Sequence, residues 1–312
     1  MQPYEDVALV THYVRTIFPI YDRLTVERVI EGGSTVVYRI QTADTTSYLR
    51  VWPEPDESFA PEVMVHRRLR MAGVHVPDVV HYEHQNAVFQ RSVMVTTAIT
   101  GRAIGYAQHP PTVTAIVRRA GRELARINQI AVEGYGWIQR DGLIPDVLQA
   151  EYSTIAAWLV EHFEAPIRAL HHYRAIAADH ITPLLVLLDA ACQYFQDEPA
   201  VLAHGDFDVT HIYYHNDTYT GVIDFGEIRG AHQVYDLAHF AIENEVLLPY
   251  LLHGYAEVMP LSGDVIQHIR LTGFLIAARR IGRRVLRGQE PHHPDLAFIA
   301  RMLPNFLREY QW

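Results

Sequence analysis

The chain has 312 residues, and its 26 basic side chains, all of them arginine, stand against 36 Asp and Glu for a formal charge of −10. That balance argues against a nucleic-acid partner held by a general basic surface, and the missing lysine excludes Schiff bases, a pyridoxal-phosphate anchor and a Walker A lysine. A hydrophobic content of 49% with 20% charged residues is that of a globular chain, long enough for one large domain or two modest ones. Cys192 is the one cysteine, so no internal disulfide can form. Glu5 and Asp6 stand where a signal peptide would be positive, and no apolar run approaches the roughly 18–20 residues that span a bilayer. The expectation is a cytoplasmic protein without a membrane partner, monomer or dimer. The nineteen histidines are scattered without zinc-site spacing.

In chain order, residues 4–18 have helical apolar spacing and end at Pro19. Strands are expected at 25–30 and 35–42 around a Glu31-Gly32-Gly33-Ser34 turn, and a third at 47–52. A helix over 60–72 has Pro61 in its first turn and Gly73 just past its end. Strands at 79–83 and 87–98 follow. From residue 110 helices dominate, over 110–130, 147–173 and 181–195. A short β island at 200–226 interrupts them, with Asn216-Asp217 as its hairpin turn, and beyond 234 the pattern is helical. Strands first, then helices around a β-hairpin, predict an α+β chain of two lobes, 1–98 and 99–312.

The chemistry concentrates in the island. An apolar strand delivers His204-Gly205-Asp206 into a loop ending at His211. The chain then turns back through Gly221-Val222-Ile223 to Asp224-Phe225-Gly226-Glu227. Such a hairpin can bring Asp206, His211 and Asp224 to one end. Two carboxylates plus an imidazole suit phosphoryl transfer: one carboxylate orients or deprotonates a hydroxyl, and the others hold Mg²⁺ against phosphates.

These motifs resemble the kinase catalytic loop and its following metal-binding segment. They are most similar to those of the aminoglycoside phosphotransferase and choline kinase-like family of small-molecule kinases, which includes macrolide phosphotransferases. That family writes H-G-D, then Asn or sometimes His five residues after the Asp, then D-F/W-G-D/E and D-L-A, matched here by Asp236-Leu237-Ala238. The resemblance extends over roughly residues 25–285. It implies a bilobal protein-kinase-like fold with a five-stranded antiparallel sheet and helix in a nucleotide-binding lobe (1–98). The catalytic and substrate-binding lobe (99–312) would be mostly helical, with a small β-hairpin carrying the active site. It further implies Asp206 as catalytic base, and Asp224 with His211 as ligands of Mg²⁺, with Mn²⁺ possible. Ser34, Arg50, Glu62, Thr97 and Ile99 would serve the nucleotide, ATP or GTP. Arg50 and Glu62 would be the phosphate-holding ion pair, and the Thr97 carbonyl and Ile99 N–H would meet the purine. His204 and Asp236 would brace the catalytic loop.

Only eleven residues lie between Asp224 and Asp236, too few for a phosphorylation-switched activation segment. The acceptor is thus expected to be a small hydroxylated molecule. Asp208, Glu227 and Glu243 cluster with the catalytic residues and would suit a cationic one, an aminoglycoside first or a macrolide. A metabolic kinase of choline, homoserine or a sugar competes with that reading. A nucleotide-binding pseudokinase scaffold is the alternative that Arg50 and His211 would favour. The arginine stripe of Arg279, Arg283 and Arg287 is expected to be solvated or paired with acidic segments, with an anion-binding helical module as the other reading.

Overall fold

The computed structural model describes residues 2–19, 23–30, 35–105, 111–173 and 180–309. It divides into two compact units. The first comprises Met1–Arg102, Gln139–Leu148 and Tyr213–Gly226; the second comprises Ala103–Ile138, Gln149–Ile212 and Glu227–Trp312. Among the described residues no helix is long and apolar enough to cross a membrane.

The first unit is built on a five-stranded sheet of β1 (Thr25–Val29), β2 (Val36–Gln41), β3 (Thr46–Val51), β4 (Val79–Glu83) and β5 (Val93–Thr97), in the order β1-β2-β3-β5-β4. Every pairing is antiparallel. Helix α1 (Val7–Ile17) starts where the Asp6 carboxylate accepts the Ala8 and Leu9 N–H groups, a side-chain N-cap. Its apolar stripe of Val10, Tyr13 and Val14 buries against Tyr38, Ile40, Leu49, Val51 and Val95. Each fully buried aliphatic side chain of this kind stabilises by about 1.5–3 kcal/mol. Trp52, Phe59, Val63 and Met94 form a second cluster at the start of helix α2 (Ala60–Met71). The alternating burial of β3 places Ser47, Leu49 and Val51 inward and leaves Arg50 on the other face.

Strand β5 is shorter than the apolar run 87–98 predicts. The Asn86 side chain accepts the N–H groups of Val88 and Phe89, which makes 86–91 a turn. A hairpin of β11 (Ile212–His215) and β12 (Thr218–Val222) turns at Asn216 and Asp217, both with positive φ (47° and 57°), as a type I′ turn requires. The Val222 N–H donates to the His75 carbonyl at 2.9 Å, so the residues leading into Asp224 are fixed to the first unit.

The second unit is mostly helical: α3 (Val113–Ile127), α4 (Ile155–Ala169), α5 (Ile181–Tyr194), α6 (Tyr235–Asn244), α7 (Leu248–Ala256), α8 (Val265–Leu286) and α9 (His293–Glu309). Its β content exceeds the expected hairpin. A second five-stranded sheet runs β10 (Val201–Ala203), β13 (Arg229–Ala231), β8 (Tyr135–Ile138), β9 (Leu148–Tyr152), β7 (Val132–Glu133). The helix expected from residue 147 begins instead at Ile155, because Leu148-Gln149-Ala150-Glu151 alternates buried and exposed and the Thr154 side chain caps the Ala157 N–H. Gly282 of α8 lies so close to α4 that an added Cβ would sit 2.2 Å from the Pro166 carbonyl oxygen.

Candidate active site

In the first unit the fully buried Glu62 carboxylate takes one arginine on each oxygen. Arg50 Nη1 lies 2.5 Å from Oε2, and Arg140 Nη1 lies 2.8 Å from Oε1. Arg140 also donates from Nη2 to the Gly226 carbonyl at 2.9 Å, and its guanidinium stacks over Trp52 at 4.2 Å. Arg50 stacks over Phe59 at 4.9 Å. A Cβ on Gly226 would lie 3.2 Å from both Arg50 Nη2 and Asp224 Oδ1, so the second arm of Arg50 flanks that carboxylate. Burial works against the Arg50 charge, but Glu62 and Asp224 outweigh it and raise its pKa. Asp224 has φ +67°, a left-handed conformation that costs a non-glycine residue about 1–2 kcal/mol. Such strain, held by the surrounding structure, is what a site that must aim a carboxylate can retain.

Thr97 ends β5 and Ile99 lies two residues beyond it, both half-buried. Thr97 exchanges two bonds with Asp78, its N–H donating to the Asp78 carbonyl and its Oγ1 accepting the Asp78 N–H, each at 2.9 Å. Ser34 lies outside the described residues.

In the second unit the His204-Gly205-Asp206 loop is held by its backbone. The fully buried Asp236 accepts the His204 N–H on Oδ2 and the Gly205 N–H on Oδ1, both at 2.8 Å. Burial raises the Asp236 pKa, while His204 and the two N–H groups work against that rise. Gly205 has φ +88°, and a Cβ there would sit 2.0 Å from the Glu227 carbonyl oxygen, so only glycine fits. Asp206 follows with its side chain 41% exposed. The His211 ring bonds through Nδ1 to the Asp206 carbonyl at 2.7 Å. A carbonyl oxygen only accepts, so Nδ1 is the donor in that bond.

Two participants carry no motif. Arg140 lies in a non-periodic segment and meets Glu62 from 78 positions away, so nothing local marks it. His239 Nε2 lies 3.3 Å from Asp206 Oδ1, with its side chain 8% exposed. Burial, with Arg280, pushes its pKa down to about 4, so the neutral ring donates Nε2–H to that oxygen. Its signal was legible: His239 is one helical turn beyond Asp236 and shares its face.

The three expected acceptor-facing carboxylates all have partners. Asp208 accepts the Thr210 N–H and hydroxyl, Glu227 pairs with Arg229 at 3.0 Å and Glu243 with Arg280 at 3.1 Å. The arginine stripe is divided between burial and the expected pairing with acidic residues. Arg279 is buried within α8, and Arg280 beside it pairs with Glu243 and with Asp295.

Comparison with known proteins bears on this arrangement. The family model APH, the phosphotransferase enzyme family, matches residues 25–262. Among solved structures, a thermostable mutant of aminoglycoside phosphotransferase APH(4)-Ia without ligand superposes with a TM-score of 0.66 at 16% identity, over 96% of this chain and 98% of that one. The same enzyme in a ternary complex with ADP and hygromycin B gives 0.65 at 16% identity over the same shares. A protein from Thermobifida fusca YX-ER1, provisionally described as a fructosamine-3-kinase, gives 0.61 at 19% identity over 93% and 97%. No curated protein sequence matches the chain. The fold is thus the α+β, kinase-like fold of these enzymes, and the class is that of the small-molecule kinases. The chain belongs to the phosphotransferase enzyme family.

Proposed function

We propose that this protein moves the γ-phosphoryl group of ATP or GTP to a hydroxyl of a small molecule. The observation that carries the reading is the catalytic loop. Asp236 clamps two consecutive backbone N–H groups, which presents Asp206 half-exposed with one oxygen tied to His239. In that role the remaining carboxylate oxygen orients the acceptor hydroxyl and takes its proton as the P–O bond forms. His239 and His211 hold the loop that aims it. Arg50, kept in place by Glu62 and Arg140, binds the nucleotide phosphates, and the backbone at Thr97 and just beyond β5 at Ile99 meets the base.

Asp224 and His211 are the candidate ligands for a divalent cation. A carboxylate and an imidazole suit Mg²⁺ and, with the nitrogen donor, Mn²⁺. Among the described residues no group of three or more His, Cys, Asp or Glu could hold a metal. A Mg²⁺ site of this class draws its other ligands from phosphate and water. When bound, the ion neutralises charge on the transferred phosphoryl group.

Acceptors of the antibiotic type, an aminoglycoside or a macrolide, and of the metabolic type, choline, homoserine or a sugar, all offer the required hydroxyl. A turnover screen over both sets with Mg²⁺ and each nucleotide tests the reading. Transfer that vanishes in Asp206→Ala supports it. Nucleotide binding without transfer to any acceptor would leave a scaffold instead.

A further inference from the structure

Among the described residues Arg279 is a buried cation without a counter-ion. It is 5% exposed, and its Nε and Nη2, the edge that grips an oxyanion side-on, have no hydrogen-bond partner. Its guanidinium lies over the Phe163 ring at 5.4 Å, on the α4–α8 contact where Gly282 meets Pro166. An uncompensated buried charge is among the costliest things a fold can retain.

Its surroundings deepen the imbalance. Burial, with the fields of Arg229 and Arg283 and against those of Tyr235 and Glu227, lowers its pKa to about 10. Glu227 is already paired with Arg229 at 3.0 Å. The pKa of His162, beside Phe163, is pushed down by burial and by Arg279 and Arg283, against Glu161, and its ring lies 3.7 Å from Glu151. Arg283 is one helical turn beyond Arg279, and both it and His162 are half-buried, so the cluster has a solvent-facing side. Arg229, whose field reaches Arg279, lies against the catalytic loop, with its Nε 2.8 Å from where a Gly205 Cβ would be.

We propose that Arg279 and Arg283, with His162 at the rim, form an oxyanion subsite, and that the acceptor is a hydroxylated small molecule bearing a carboxylate or a phosphate. The second half rests on the kinase reading above; the subsite itself does not. An oxyanion supplies the missing counter-charge and the two acceptors that the Arg279 edge lacks. The hydroxyl to be phosphorylated would then belong to the same molecule that the arginines hold.

The test uses the full chain with its nucleotide site saturated by AMP-PNP, so that added inorganic phosphate reports on other sites. The thermal midpoint of the wild type should rise with the logarithm of phosphate concentration, and equal ionic strength of chloride should not reproduce the rise. Arg279→Met should keep the fold and lose the phosphate-dependent rise, and Arg283→Gln should reduce it. A phosphate response identical in the wild type and both variants overturns the subsite. In a turnover screen, a hydroxy acid or a sugar phosphate should be the preferred acceptor, and Arg279→Met should raise its KM at least tenfold. Which of the two turns over decides between carboxylate and phosphate. A cationic acceptor with a KM indifferent to Arg279→Met overturns the acceptor assignment while the kinase reading stands. Failure of nucleotide binding with the phosphate response intact sinks the kinase reading and leaves the subsite.

Discussion

Asp236→Asn exchanges a single carboxylate oxygen for an NH₂ group, and the geometry makes that small change expensive. Each carboxylate oxygen accepts one backbone N–H, from His204 and from Gly205, both at 2.8 Å. An amide has one oxygen, and turning it over only changes which N–H faces an NH₂ group. One charge-assisted bond is lost, at about 1.5–3 kcal/mol, and a buried N–H stays unsatisfied, at about 1–3 kcal/mol. Because the two overlap, we expect about 3–4 kcal/mol of destabilisation in the second unit. Denaturant titration followed by the fluorescence of Trp158, buried in that unit, measures it. Hydrogen exchange at residues 204 and 205 should accelerate. Turnover should fall by at least tenfold while the KM for nucleotide, which on the proposed reading the first unit binds, holds. The reasoning is refuted if the variant lies within about 0.5 kcal/mol of the wild type, the range of an uninvolved surface change. That result would mean that burial wins, so that Asp236 is protonated in the native protein and the amide merely replaces its acid form.

Gly205→Ala should abolish transfer and weaken the fold, since its Cβ would sit 2.0 Å from the Glu227 carbonyl oxygen at φ +88°; expression and turnover check this. Arg140→Ala strips a donor from both Glu62 Oε1 and the Gly226 carbonyl, so about 2–4 kcal/mol of stability and a raised nucleotide KM are expected. Arg50→Lys should keep partial activity, because one ammonium can pair with Glu62 but cannot also flank Asp224, and Arg50→Ala should lose nucleotide binding; calorimetry separates them. Burial, with the field of His268, pushes the His232 pKa down to about 3. Stability from its neutral form is therefore complete above about pH 6.5 and is lost as pH falls toward 3, by about 2 kcal/mol at pH 5. His232→Phe, which keeps the stack on Phe195 at 4.0 Å, should flatten that acid limb in denaturant midpoints taken at pH 7 and pH 5.

Local patterns in the sequence announced some parts of this molecule and hid others. The strands at 25–29, 46–51 and 79–83 are runs of β-branched and aromatic residues, and the helix at 60–71 has its proline in the first turn, so period and punctuation suffice. The second sheet did not stand out because β7 and β13 are two and three residues long, too short for any period. Strand β9 was legible in principle, from the alternation at 148–151 and the capping Thr154, but the apolar residues that follow extended the helical pattern backward over it. The H-G-D and D-F-G segments could be read because their residue types are tied to a chemistry at fixed spacing. Arg140 could not, because its whole role is one tertiary contact. Nor could the burial of Arg279 be read, since the i, i+4 arginine spacing is the same whether the stripe faces water or a neighbouring helix.

The two units treat negative charge differently, and the difference follows from where arginines have partners. In the first unit Arg50 and Arg140 face Glu62 and Asp224, two guanidinium groups against two carboxylates. A polyphosphate arriving there gains little net attraction, and on the proposed reading it is a divalent cation at Asp224 that tips the balance toward binding. Arginine suits this task because each fork reaches two acceptors, where an ammonium would have to choose. In the second unit Arg229 is matched by Glu227 and Arg280 by Glu243 and Asp295, and among the described residues Arg279 is left over. A surplus cation inside a protein attracts an anion without metal, and it does so wherever the surplus sits. On the two proposals together, dependence on Mg²⁺ should therefore belong to the nucleotide and not to the acidic group of the proposed acceptor.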